Sequence, residues 1–417
     1  MSPGFYFACI WFFGVLGCVI LYPAGLFYEV YPQYVDELNI LVSFTALCFL
    51  FFTKKGRDKV NPNTIKINYF TRLDLFTFLS IIFLLAAISE FIRLGGNLNM
   101  GAAREHLHAN MKEKPVIIGY AQTLSIPLSI YSGYIIIKTI LNKNKLIDAH
   151  TLRFFIPLLG NLIFSITMGG RVNFVYAFTS YLIGASLALP LNKSLREIKK
   201  PLLTICGGMI LVLVFITAVA NQRQEHYNGE SNEMEVYLKE TNPLLGAIFG
   251  PIQYVHASYV GYQHRRIDAV DETHLGYGQY TFNGFINWTL PFAGIVGLGN
   301  ISIAKYLGIY YHNQETYDFE REYYYTTHSG YLTMIKDFGF WGTLICIFFL
   351  VMLSHKLFVK VQMKKNIKYV SVIFFFFIFW EYWAKSNFYG TLSSTLLVPF
   401  YGFLIIDMCK YFYWRKK

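Results

Sequence analysis

The chain returns again and again to sparsely charged apolar runs about as long as a bilayer is thick. A spanning helix needs about 20 such residues. Ten runs qualify, at about 4–26, 38–53, 74–93, 115–137, 154–169, 173–190, 201–220, 331–353, 369–385 and 392–409. Length alone, 417 residues, would suggest two or three soluble domains. The runs overrule that. Only 15% of the residues are charged and 54% are hydrophobic, whereas a soluble protein carries about 25% charge. The expected fold is an all-α polytopic membrane protein, a single domain over residues 1–417.

The net charge of +11 raises the possibility of a nucleic-acid partner. The basic residues argue against one, because they are scattered over separate short connections. Lys54, Lys55, Arg57, Lys59, Lys66 and Arg72 fill one connection. Lys138, Lys143, Lys145 and Arg153 fill the next but one. Lys193, Arg196, Lys199 and Lys200 follow, then Lys356, Lys360, Lys364, Lys365 and Lys368, and the tail carries Lys410, Arg415, Lys416 and Lys417. These connections alternate along the chain. One assignment therefore places all of them, and both ends of the sequence, in the cytoplasm. The connection 27–37 carries Glu29, Asp36 and Glu37 with no Lys or Arg, as suits the other side. No basic region precedes the first run, which reads as a retained helix rather than a cleaved signal. Of six cysteines, five lie in apolar runs and Cys409 ends the last one, so neither a disulfide framework nor a cysteine metal site is expected.

This topology puts a long polar excursion, 221–330, outside, inserted between the seventh and eighth helices. Within it, 243–262 and 282–299 are apolar and glycine-rich, and either could dip into the membrane where protein or water covers its backbone.

Charged residues at a membrane boundary are costly unless used or paired. Arg171 follows Met168-Gly-Gly170 in the tight connection between the fifth and sixth helices. The glycines permit a sharp turn and close approach of backbone to a ligand. The guanidinium either snorkels to lipid phosphate or holds a substrate phosphate. Arg223 stands just past the seventh helix, and Arg265 and Arg266 form a further basic point, which reads equally as solvated surface. Arginine binds phosphate bidentately and keeps its charge at any working pH. Tyr323, Tyr324 and Tyr325 belong to a dense aromatic cluster interleaved with acids and amides. Aromatic faces stack on sugar rings, although an interfacial belt also uses tyrosine. No Walker A, HExxH, GxSxG or Rossmann pattern occurs, and no spacing argues for a metal.

The excursion closes on His328-Ser-Gly-Tyr331-Leu332, and the next apolar run carries Asp337, Gly339 and Gly342. A histidine followed by Ser, an aromatic, Leu, an acid nine residues on and glycines eleven and fourteen on resembles the re-entry segment of the O-antigen ligase and O-antigen polymerase superfamily. The Gly-Gly-Arg171 turn is similar to a glycine-arginine element of oligosaccharide repeat-unit polymerases, the Wzy class. The resemblance implies a metal-independent, cofactor-free membrane glycosyltransferase of the GT-C kind in the bacterial inner membrane, working on its periplasmic face. It implies undecaprenyl-pyrophosphate-linked oligosaccharide as substrate and a chain-length regulator membrane protein as a possible partner. His328 would be the base and arginines would hold the pyrophosphate. Arg171 follows from the resemblance, and Arg223, Arg265 and Arg266 from position. Tyr323 to Tyr325 would bind sugar.

The expected function is polymerisation of repeat units into O-antigen or a related polysaccharide. A ligase moving glycan to lipid A core shares the histidine element and stays open. So does a lipid-linked oligosaccharide flippase, whose polar residues should lie at midplane in discontinuous helices. The glycines at 339 and 342 are expected to let their helix pack closely on a neighbour.

Overall fold

The computed structural model describes residues 3–16, 32–56, 75–96, 116–143, 152–167, 171–188 and 329–364, with isolated positions between 199 and 214 and short stretches between 259 and 282. The described residues are helical and contain no strand. The helices are α1 (Pro3–Leu16), α2 (Pro32–Gly56), α3 (Leu75–Arg93), α4 (Val116–Thr123), α5 (Ser125–Lys143), α6 (Ile156–Thr167, entered through a 3-10 turn Arg153–Phe155), α7 (Arg171–Ala188) and α8 (Gly330–Lys364). Among the described residues four stretches are long and apolar enough to cross a membrane: Tyr34–Phe52, Leu75–Arg93, Ala121–Leu141 and Gly330–Val359. Arg153–Thr167 is a shorter apolar helix. The runs 369–385 and 392–409, nearly all of 201–220 and most of 221–330 lie outside the described residues.

Local chemistry explains the boundaries. α1 and α2 open on Pro3 and Pro32, where a missing amide costs nothing. The expected single span 115–137 is two helices. Pro127 has no amide for the Thr123 carbonyl and its ring crowds that group, so the chain is interrupted at Leu124. α3 ends in a Schellman motif. The Gly96 amide donates to Phe91 O at 2.9 Å and that of Gly95 to Ile92 O at 3.0 Å, with Gly95 at φ 85°.

Two apolar clusters organise the bundle. One joins α1, α2, α8 and the 259–262 segment; the other joins α3 to α7. Ile130 of α5 and Ile183 of α7 pack into the first cluster and connect the two. Between apolar helices in lipid the hydrophobic effect gives little, so close backbone approach and polar contacts matter more. Both appear where α5 crosses α7. A Cβ on Gly184 would stand 1.9 Å from Ile130 O, and one on Gly133 would stand 2.1 Å from Tyr181 O. Asn161 of α6 ties in α5: Ser125 Oγ donates to its Oδ1 at 2.5 Å, and its Nδ2 donates to Ser129 Oγ at 3.2 Å. Replacing Gly184 with Ala must push two backbones apart. The expected loss is about 1–3 kcal/mol, read as a lower melting midpoint of the purified protein in detergent, and an unchanged midpoint would contradict this crossing.

The contacts also fix relative directions. Along α2 and α8, Thr45 meets Tyr331, and further on Phe52 meets Phe348 and His355, so these helices are parallel. Phe7 packs against Phe49 while Trp11 reaches Tyr331, which meets Thr45, so α1 is antiparallel to α2. Phe76 with Phe154 and Phe83 with Phe164 make α3 parallel to α6. Asn161 beside Ser125, and Phe76 beside both Tyr131 and Phe154, make α5 antiparallel to α6. Residues 168–170 connect α6 to α7, and Tyr181 of α7 donates to Phe154 O at 2.9 Å. These two helices therefore form an antiparallel hairpin. Each of these directions is the one required by the alternation of basic connections.

The expectation for the two α8 glycines needs correction. Gly339 sits at φ 64°, ψ 179° and breaks the helix, a conformation essentially reserved for glycine. Among the described residues, a Cβ there would meet only Leu275 Cδ2, at 3.9 Å. At Gly342 the close neighbour is Phe338, at 2.8 Å, within α8 itself. Gly339 therefore bends α8, and among the described residues neither glycine lies against the backbone of a neighbouring helix.

Candidate functional site at the entry to α8

Tyr259, Tyr262, Gln263 and Arg266 follow an i, i+3, i+4, i+7 spacing, which puts them on one helical face, and all four are buried. That face meets the first turns of α2. Tyr259 Oη donates to Asn39 Oδ1 at 3.1 Å, and Tyr262 Oη donates to Glu37 Oε1. Arg266 Nε donates to the same Glu37 oxygen at 3.0 Å and its Nη2 to Oε2 at 3.4 Å. The guanidinium lies 5.8 Å from the Tyr34 ring centre. Burial, and then the Glu37 carboxylate, push the Tyr262 phenol well above its usual range. It therefore keeps its proton and donates a hydrogen bond to Glu37.

The side chains of Arg266 and Glu37 are only 9% and 18% exposed. Removing one member of such a pair leaves the other charge uncompensated. Glu37→Ala should cost about 3 kcal/mol, and Glu37→Ala with Arg266→Leu should recover part of it. Equal losses in the single and double variants, by melting midpoint, would contradict the pairing.

Trp11 bridges this face to α8, with ring centres 5.7 Å from Tyr259 and 5.7 Å from Tyr331. The Thr45 hydroxyl donates to Leu41 O at 2.7 Å, so Tyr331 Oη, 2.7 Å from Thr45 Oγ1, must be the donor of that pair. Ser329, immediately after His328 in the sequence, is fully buried and held at φ 59°. Its Oγ accepts the Tyr331 amide at 3.4 Å, an N-cap contact. A non-glycine residue at positive φ is sparsely populated and tends to mark functional sites.

The far end of this first part of α8 is clamped as well. The break at Gly339 takes the usual amide partners from the preceding carbonyls. Two amides of the 275–278 turn replace them: Gly276 N donates to Lys336 O at 3.1 Å and Tyr277 N to Asp337 O at 3.0 Å. The Asp337 carboxylate is fully buried and accepts the Thr281 amide at 2.5 Å. Tyr277 (φ 50°) and Gly278 (φ 94°) shape the turn.

Of the residues expected from sequence, Arg171 is the first residue of α7. Arg266 is an ion-paired buried residue, which replaces the solvated-surface reading for this member of the Arg265–Arg266 pair. His328, Arg223, Arg265, Tyr323, Tyr324 and Tyr325 lie outside the described residues. The sequence reading missed the contact of Glu37 with Tyr262 and Arg266, and the Asp337 clamp. Asp36-Glu37, an acidic pair at the start of an apolar run, was the available signal for the first. No group of three or more His, Cys, Asp or Glu converges among the described residues. No protein-family model matches the chain, and neither does any curated protein or solved structure.

Proposed function

We propose that this chain polymerises undecaprenyl-pyrophosphate-linked oligosaccharide repeat units into O-antigen or a related surface polysaccharide. The reaction would be glycosyl transfer at the periplasmic face of a bacterial inner membrane. The nascent chain on its carrier is the donor, and a hydroxyl of the incoming lipid-linked unit is the acceptor. His328 takes the proton from that hydroxyl. Arg171 and Arg223 hold the donor pyrophosphate, and Tyr323 to Tyr325 stack on sugar. The carrier enters from the surrounding bilayer, and a chain-length regulator is the expected protein partner.

The observation that carries this reading is the segment from His328 to Gly342, with Ser329, Tyr331, Leu332, Asp337 and Gly339 in the spacing of the ligase and polymerase superfamily. The local structure supports it. The histidine directly precedes a strained, buried cap residue, on a short helical stretch fixed at both ends by Tyr331 and Asp337. Such fixing is what a group needs if it must meet a hydroxyl within hydrogen-bond reach. The buried Glu37–Arg266 pair suits a structural role better than a ligand role, so Arg171 and Arg223 are the stronger pyrophosphate candidates.

The break at Gly339 favours a second reading, a transporter of lipid-linked oligosaccharide, because discontinuous helices build transporter sites. Membranes containing the protein, supplied with lipid-linked repeat units and with lipid A core, separate the possibilities. Growing chains on the carrier support polymerisation. Transfer only to the core would make the protein a ligase, and neither product would remove both.

A further inference from the structure

We propose that the break at Gly339 lies at the outer edge of the hydrocarbon core, and that the turn 275–278 and the start of the second part of α8 dock on the outer-leaflet interface through Tyr277 and Trp341. The partner is the lipid headgroup–acyl boundary. The inference rests on reading α8 as a membrane helix and does not depend on glycosyl transfer.

Length and charge set the depth. α8 has 35 residues, far more than the roughly 20 that a bilayer needs. Its uncharged part runs from Phe338 to His355, eighteen residues. At a rise of 1.5 Å per residue that is about 27 Å, close to the thickness of the hydrocarbon core. Lys336 and Asp337 stop it at one end and Lys356 at the other. Trp341, Ile345, Phe349 and Leu353 are exposed at 77%, 61%, 56% and 45%. Their spacing of four makes one apolar stripe, and it begins only after the break.

Polar backbone is compatible with that depth. A bend with freed carbonyls and an adjoining turn cannot face lipid tails. Here the Lys336 and Asp337 carbonyls are taken by the turn, and the Asp337 carboxylate is held inside protein. Tyr277 alone points away from this clamp, 84% exposed. A large exposed aromatic with a polar tip is what an interface accommodates, and Trp341, exposed just after the break, is another. Its backbone is pinned 3.0 Å from Asp337 O, so the ring is carried at the level of the break.

The test uses full-length protein with its cysteines replaced, reconstituted into vesicles. Single cysteines at Thr333, Tyr277, Trp341 and Phe349 carry an environment-sensitive bimane. Quenching is compared for headgroup nitroxide lipid, mid-chain brominated lipid and aqueous iodide. Phe349→Cys should be quenched several-fold more by mid-chain bromine than by the nitroxide. Tyr277→Cys and Trp341→Cys should show the reverse order, and Thr333→Cys should respond to iodide and not to mid-chain bromine. Mid-chain quenching at Tyr277 and Trp341 as strong as at Phe349 would overturn the proposal and place the break inside the membrane. Iodide quenching alone at Tyr277 would overturn it in the other direction, with the turn standing clear of lipid.

Discussion

On the proposed mechanism, His328→Ala should lower the polymerisation rate by about 100- to 10,000-fold, the usual contribution of a general base, while leaving folding and binding of the lipid-linked donor intact. Transfer to a sugar hydroxyl requires its proton to leave as the bond forms. A histidine of unperturbed pKa, about 6.5, is mostly neutral and able to accept it near pH 7. His328→Asn keeps a polar side chain without the proton-accepting nitrogen and should fail as badly as Ala. Long chains made by the Asn variant at near wild-type rate would make the histidine a cap or headgroup contact and put the base elsewhere. Rates from single-turnover assays, with donor binding measured separately, distinguish these outcomes.

Arg171→Lys and Arg223→Lys each keep the charge and lose the planar fork. A charge-assisted hydrogen bond is worth about 1.5–3 kcal/mol, so each Lys variant should lose about 10- to 150-fold in kcat/KM. The Ala variants should be worse. Arg171 opens α7 directly after a three-residue connection from α6. A helix N-terminus is itself a position that favours phosphate. Wild-type rates for both the Lys and Ala variants would return these arginines to contacts with lipid phosphate.

The parts of the fold that were legible in the sequence are those set by local length and composition. Apolar runs located α2, α3, α5 and α8, and the alternation of basic connections anticipated the direction in which each packs on its neighbour. The departures come from single residues whose effect depends on context. Pro127 splits one expected span because it sits four residues after Thr123. Gly339 in an apolar run reads as a packing glycine, and only its φ shows that it ends one helical stretch and starts another. Gly133 and Gly184, where α5 and α7 do approach closely, carry no local mark that separates them from other glycines. The ion pair between Glu37 and Arg266 joins residues 229 positions apart, a distance over which local pattern carries no information. At the site, the acid spaced nine residues from the expected histidine falls within the described residues, while the histidine itself does not. The structure adds what the acid does: Asp337 binds a backbone amide and clamps the turn at the break.

The central claim is most directly tested by purified protein in lipid vesicles, given synthetic undecaprenyl-pyrophosphate-linked repeat units in the presence of a metal chelator. The account predicts a ladder of products spaced by one repeat unit, with chelator making no difference and His328→Ala making no ladder. Lipid-linked units that cross the bilayer unchanged, with no ladder formed, would contradict it, as would a ladder that chelator abolishes and magnesium or manganese restores.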